Sequence, residues 1–292
     1  QTNENTVVTE YEPVKVRNES YQSEAQLEAE FITMLCDQGY DRLHINKESD
    51  LVDNLRAQIS RLNSYEFSDK EWDRFFNEHI VNPNDSVVEK TRTIQEDNIK
   101  VLKKDDGNTQ NITLIDKKNI HNNSLQVLNQ YKVSKSDGAK YDNRYDVTIL
   151  VNGLPLVHVE LKRRGIPIRE AFNQINRYQR DSFFAGYGLF EYVQIFVISN
   201  GTHTKYYSNT TRVNVEKQNE NSAKLGKKAK TSNSFEFTSF WADSNNRVIP
   251  DLVDFTKTFF AKHTILNILT KYCVFTSEEL LLVMRPYQIT AT

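Results

Sequence analysis

The sequence predicts an α/β (α+β) fold, a mixed central sheet flanked by helices with an inserted helical and antiparallel region. Three observations carry this. Arg144 to Gly165 reads as two apolar strands joined at Asn152-Gly153. Ile168 to Arg180 has helical spacing, with apolar residues at Ile168, Ala171, Phe172, Ile175 and Tyr178. Val193 to Ser199 is a continuous apolar run, the pattern of a strand covered on both faces.

The elements follow in order. Residues 1–20 are polar and aperiodic, an N-terminal arm. Ser23 opens a helix with Gln26 as its capping-box partner. Leu27, Phe31, Met34 and Leu35 form its buried stripe, and Gly39 ends it. Asp41 to Ile45 is a short strand. Asp50 to Leu62 and Ser68 to Val81 are amphipathic helices, the second built on Trp72, Phe75, Phe76 and Ile80. Val87 to Ile94 is a third helix. Asn98 to Lys103, Ile112 to Ile115 and Leu125 to Val133 alternate as strands of an antiparallel extension. Together these make an insertion around 46–135 within a unit spanning 21–260. After Val193 to Ser199, Asn200-Gly201 turns the chain into the alternating strand Thr202 to Ser208. Residues 213–233 are rich in Asn, Lys and Ser and read as a mobile loop. Their lysines serve either as an arm on phosphate or as a solvated surface. Phe235 to Trp241 is a strand, and Asp251 to His263 and Ile265 to Tyr272 are helices. Residues 261–292 read as a helical linker.

The chemistry concentrates in the hairpin. Strand side chains alternate faces, so Val147, Ile149 and Val151 share one face and Val157, Val159 and Leu161 share another. A one-residue slip would flip every side chain. A three-residue loop, Asn152 to Leu154, pairs Val151 with Pro155, Ile149 with Val157 and Val147 with Val159. It sets Asp146 opposite Glu160. Asn-Gly by itself suggests a two-residue turn, which by simple counting would mix the faces; a bulge near Asp146 would give the same pairing as the three-residue loop. Two carboxylates and Lys162 on one sheet face suit a divalent metal and an attacking water. A half-exposed hairpin with ordinary polar residues has the same pattern. Asp116-Lys-Lys118 is a look-alike without a partner strand.

Gln174 and Tyr178 lie four apart on one face of the following helix. Asp146, Glu160-x-Lys162 and Gln174-x-x-x-Tyr178 together resemble the PD-(D/E)xK nuclease core of the RecB-like branch. Asp146 follows Tyr145, where the family often has proline. The stretches NRYDVTILVNGLPLVHVELKRRG (143–165), REAFNQINRY (169–178), IFVISNGT (195–202) and LLVMRPYQITAT (281–292) resemble the nuclease domain of the restriction subunit of type I restriction–modification enzymes. The resemblance runs from about Tyr21 to the C-terminus. It implies a restriction-endonuclease-like core and a type I site-specific deoxyribonuclease activity. Asp146, Glu160 and the Leu161 carbonyl would hold Mg²⁺, with Glu28 of the first helix as a further carboxylate. Lys162, Gln174 and Tyr178 would complete the catalytic group. Arg163, Arg164, Arg177, Arg180, Lys227 and Lys228 are candidates for DNA contact. Double-stranded DNA would be cut without sequence preference after ATP-driven translocation, in a complex with methylation and specificity subunits. The linker 261–292 would lead into a helicase motor.

Composition narrows the classes. Net charge is −2 over 292 residues, so any contact with nucleic acid comes from a local patch. The two cysteines, Cys36 and Cys273, sit in apolar contexts and suggest buried thiols in a reducing compartment. No apolar run reaches membrane-spanning length and no secretory signal shows, which points to the cytoplasm. No Gly-x-x-x-x-Gly-Lys-Ser/Thr phosphate loop occurs, so ATP would belong to other domains of a full-length subunit. Two other readings stand beside the restriction nuclease. One is a non-catalytic DNA-binding or docking module that kept the fold. The other is a structure-selective repair nuclease.

Overall fold

A computed structural model describes residues 22–183, 185–210 and 234–291. The N-terminal arm and the Lys-rich segment 213–233, with Lys227 and Lys228, therefore lie outside the described residues. In chain order the fold carries α1 (Glu24–Asp37), β1 (Asp41–Leu43), α2 (Glu48–Asn63), α3 (Asp69–Phe75), α4 (Val87–Gln95), β2 (Ile99–Lys103), β3 (Thr109–Thr113), β4 (Leu125–Val133), β5 (Asn143–Val151), β6 (Leu154–Leu161), α5 (Arg169–Asp181), β7 (Ile195–Ser199) and β8 (Thr204–Ser208). Ser23, Ser68 and Ser86 each open a helix with a full capping box. Such caps satisfy otherwise orphaned amides and stabilise a helix by about 1 kcal/mol each.

A six-stranded sheet in the order β1-β4-β5-β6-β7-β8 forms the centre. β5 runs antiparallel to both of its neighbours, β4 and β6; β6 and β7 are parallel, and β1 joins the edge parallel to β4. This is the mixed sheet flanked by helices that the sequence predicts. The parallel β6–β7 pair needs a crossover, and α5 supplies it. Every residue of β6 and β7 is buried, so these strands lie in the middle of the core. Tyr40, just after α1, donates its hydroxyl to the Phe260 carbonyl at 2.7 Å and ties α1 to the C-terminal part of the fold.

The hairpin register holds and its loop differs. Val147 pairs with Val159 and Ile149 with Val157, and all four side chains are fully buried. The connection is the two-residue Asn152-Gly153 turn, with φ of 51° and 83°, the positive values that a type I′ turn needs. The expected three-residue loop is corrected by an irregularity between Ile149 and Leu150, which sets Leu150 against Pro155 and Val151 against Leu154. That irregularity leaves Leu156 as the extra residue and restores the apolar match. The turn is also welded to its surroundings. Asn152 is fully buried; its amide donates to the Leu114 carbonyl and to Asn123, and its oxygen accepts from the Ser124 amide.

Other expectations change. Leu125–Val133 is not part of an antiparallel extension but a strand of the central sheet, beside β5. Only β2 and β3 form a separate hairpin. Phe235 to Trp241 is not a continuous strand: a single helical turn spans Ser234–Phe237, Ser239 makes an isolated antiparallel bridge to Tyr206, and Trp241–Ala242 pairs with Val248–Ile249. The segment from 261 is not helical throughout. Helix Lys262–Asn267 continues as a wider helical turn over Ile268–Tyr272, as expected, and is followed by a hairpin of Cys273–Phe275 and Leu281–Val283, then by helix Pro286–Ala291. Asp116 of the look-alike triplet accepts the amides of Lys118 and Asn119 at 2.9 Å each, so its carboxylate closes a turn.

A Cβ at Gly153 would meet the Leu55 Cα of α2 at 2.6 Å, in a backbone region that L-residues rarely adopt. Gly153→Ala is therefore expected to cost about 2–4 kcal/mol, measured by urea denaturation. A loss below about 0.5 kcal/mol would contradict the close approach of turn and helix.

Candidate functional site

The hairpin brings Asp146 and Glu160 to the same level of the sheet, one position beyond the Val147–Val159 pair. At that level regular pairing stops. The side chain of Asp146 takes the place of a ladder bond, its Oδ2 accepting the Leu161 amide at 3.0 Å. Both carboxylates are buried, Asp146 at 4 % exposure and Glu160 at 0 %. Lys162 reaches back from the strand end. Its Nζ lies 3.2 Å from Glu160 Oε1, 3.5 Å from Glu24 Oε1 and 2.9 Å from the Leu161 carbonyl oxygen.

Burial sets the electrostatics. It pushes the Asp146 carboxyl up to about 7, reinforced by the charge of Glu160 and opposed by the Leu161 amide and Lys162. It also pushes Glu160 up to about 7, against the pull of Lys162. Burial disfavours the ammonium of Lys162, but Glu160, Asp146 and Glu24 outweigh it and raise its pKa. Burial lowers His158 to about 4, so its imidazole is neutral at neutral pH. His158 Nε2 stands 3.5 Å from Glu160 Oε2, and neither atom has a hydrogen-bond partner.

Glu28 of α1 comes to the same region. It is buried and accepts bonds from Asn129 at 2.8 Å and from Gln130. Burial raises its pKa, the two amides lower it, and the charge of Asp146 raises it further. Among the described residues no three His, Cys, Asp or Glu side chains are close enough to form a metal cage. Glu28 thus stands beside the Asp146–Glu160 pair, not in a cage with it. The donors still suit a hard divalent cation. Two carboxylates and the Leu161 carbonyl all offer oxygen, and one buried oxygen of Glu160 is unused.

Tyr178 lies under the site. It donates to the Arg144 carbonyl at 2.7 Å and accepts from Gln174. Both residues thereby grip β5 two positions before Asp146. The candidate cations diverge. Arg163 and Arg180 are exposed, while Arg177 stacks over the Tyr178 ring at 5.6 Å. Arg164 is engaged with Thr202 at 3.1 Å and Asp251 at 3.5 Å. Glu24, Asn129 and Gln130 escape the sequence reading. For Glu24 a signal exists: it lies one turn before Glu28 on the same helix face.

A pH dependence follows from the two raised carboxyls. Without metal the native state holds protons that the unfolded chain has released above about pH 4. Stability therefore falls as pH rises from about 4 to about 7. Asp146→Asn keeps an acceptor for the Leu161 amide and removes the buried charge. At pH 8 in chelator it should be more stable than the native sequence by on the order of 1–3 kcal/mol. A less stable variant in thermal unfolding would contradict this picture.

Residues 21–215 match the protein family described as "Type I restriction enzyme R protein N terminus". The chain is 48% identical over 293 aligned residues to the type I restriction enzyme EcoprrI endonuclease subunit of Escherichia coli, covering 100% of this chain and 87% of that protein. It is 36% identical to the type I restriction enzyme SsaAORF53P endonuclease subunit of Staphylococcus saprophyticus, covering 93% of this chain. The same identity and coverage hold for the SauMSSORF170P endonuclease subunit of Staphylococcus aureus. The chain spans 26% and 27% of the lengths of these two staphylococcal proteins. With two thirds of its residues inside the family match, the chain belongs to the N-terminal family of type I restriction enzyme R proteins.

Proposed function

We propose that this chain is the Mg²⁺-dependent endonuclease module of a type I restriction enzyme, hydrolysing phosphodiester bonds of double-stranded DNA. The observation that carries it is the buried Asp146–Glu160 pair with Lys162 across it, on the strands of a family already assigned to restriction enzymes. Two carboxylates that share one lysine are costly in a dry interior. A divalent cation would relieve that cost.

Asp146, Glu160 and the Leu161 carbonyl would hold the cation, with Glu28 at its margin. When bound, the cation polarises the scissile phosphate and lowers the pKa of water. Lys162 contributes a fixed positive charge toward the developing phosphate charge. The Leu161 amide keeps the Asp146 carboxylate in line. Tyr178 and Gln174 hold β5 in place through the Arg144 carbonyl. Arg163, Arg177 and Arg180 supply local charge for the DNA backbone, joined by Lys227 and Lys228. Cutting is without sequence preference and follows ATP-driven translocation by motor domains of the full-length subunit. Methylation and specificity subunits choose the target. The workplace of such a complex is the cytoplasm; among the described residues no helix is long and apolar enough to cross a membrane.

Asp146→Ala, Glu160→Ala and Lys162→Ala should each reduce DNA cleavage by the full-length subunit in its complex by about 10²–10³-fold or more. ATPase and translocation should persist. Tyr178→Phe loses the bond to Arg144 while keeping the ring, and should cut about 10–100-fold more slowly. Near-normal cutting by any two of the three alanine variants would sink the assignment. Equal cutting of branched and linear DNA would argue against a structure-selective repair nuclease.

A further inference from the structure

Neighbouring residues of a strand point to opposite faces, yet Asn129 and Gln130 both bond the carboxylate of Glu28. Asn129 donates to Oε1 and Gln130 to Oε2. The backbone shows how this is done. Asn129 pairs with Val147 and Tyr131 with Tyr145, so Gln130 falls opposite Asp146, and that pairing alone is skipped. Gln130 has φ of 56°, a left-handed conformation that a residue with a long side chain adopts at a cost. β4 thus breaks its ladder beside Asp146 and turns two successive amides onto one buried acid. Backbone strain of this kind persists where the surroundings impose it, and it clusters at functional sites.

We propose that Asn129 and Gln130 are positioning residues that hold Glu28 at the edge of the metal centre, where its carboxylate orders water around the cation. This rests on the metal-dependent reading above. The amides engage both oxygens of Glu28 and so fix the orientation of its carboxylate. Mg²⁺ gives up its waters reluctantly and keeps several of them. A carboxylate beside the ligating pair is therefore placed to accept from those waters. The left-handed turn at Gln130 is what lets the second amide reach.

The test measures Mn²⁺ binding to the intact chain by calorimetry, together with thermal unfolding in chelator. Asn129→Ala and Gln130→Gly should each weaken Mn²⁺ about 10–100-fold. Gln130→Gly removes the backbone cost along with the amide, so its unfolding temperature should stay within a few degrees of wild type. In a Glu28→Gln background, Gln130→Gly should add no further loss, since both changes remove one function. Wild-type Mn²⁺ affinity in both Asn129→Ala and Gln130→Gly, with binding lost in Asp146→Ala, would overturn the positioning role and leave the metal reading standing. Additive losses in the double variant would also overturn it. Wild-type binding by Asp146→Ala would instead overturn the metal reading itself.

Discussion

The structure depends on one confined electrostatic conflict, two carboxylates buried side by side at the centre of a sheet. Asp146 and Glu160 sit on adjacent strands with almost no access to solvent, and Lys162 is the cation that touches one of them. Burial and mutual repulsion both favour the protonated form. The fold tolerates this because its remaining terms are strongly favourable around the pair. The Val147, Ile149, Val157 and Val159 side chains are fully buried behind it, each contributing about 1.5–3 kcal/mol of hydrophobic stabilisation. An aromatic group of Tyr145, Tyr178, Phe183 and Phe190 packs alongside, with Tyr145 within 5.0 Å of the other three ring centroids.

Rigidity at this point comes from replaced backbone bonds. On one side of Asp146 its own carboxylate stands in for a ladder partner; on the other, Gln130 leaves the ladder. The strand is then held by the Tyr178 hydroxyl on the Arg144 carbonyl. α1 closes the arrangement, with Glu24 against Lys162 and Glu28 against Asn129 and Gln130. The site is thus assembled from α1, β4, β5, β6 and α5, far apart in sequence. Misplacement of any one of them would be felt at Asp146.

The hairpin register was legible in the sequence because it is local: apolar alternation within 15 residues of one turn decides it. The capping box at Ser23 was legible for the same reason. Loop length was not legible, since a local irregularity absorbs one residue and counting alone does not choose between that and a longer loop. Leu125–Val133 was misassigned because its polar Asn129 and Gln130 look like solvent-facing positions. In fact they face an acid 101 and 102 residues away. Phe235 to Trp241 alternates like a strand, but propensity yields to tertiary context there. Gln174 and Tyr178 were placed near the site by the resemblance, whereas the bond from Tyr178 to a main-chain carbonyl needed coordinates.

As the proposed cation site, the buried acid pair would hold protons until a cation replaces them. Calorimetric titration of the chain with Mg²⁺ at pH 7, in buffers of differing ionisation enthalpy, reads that exchange directly. The account predicts saturable binding with about one proton released per cation. The release should vanish at pH 9 and shrink in Asp146→Asn. Absence of binding, or binding with no proton release at pH 7, would contradict it.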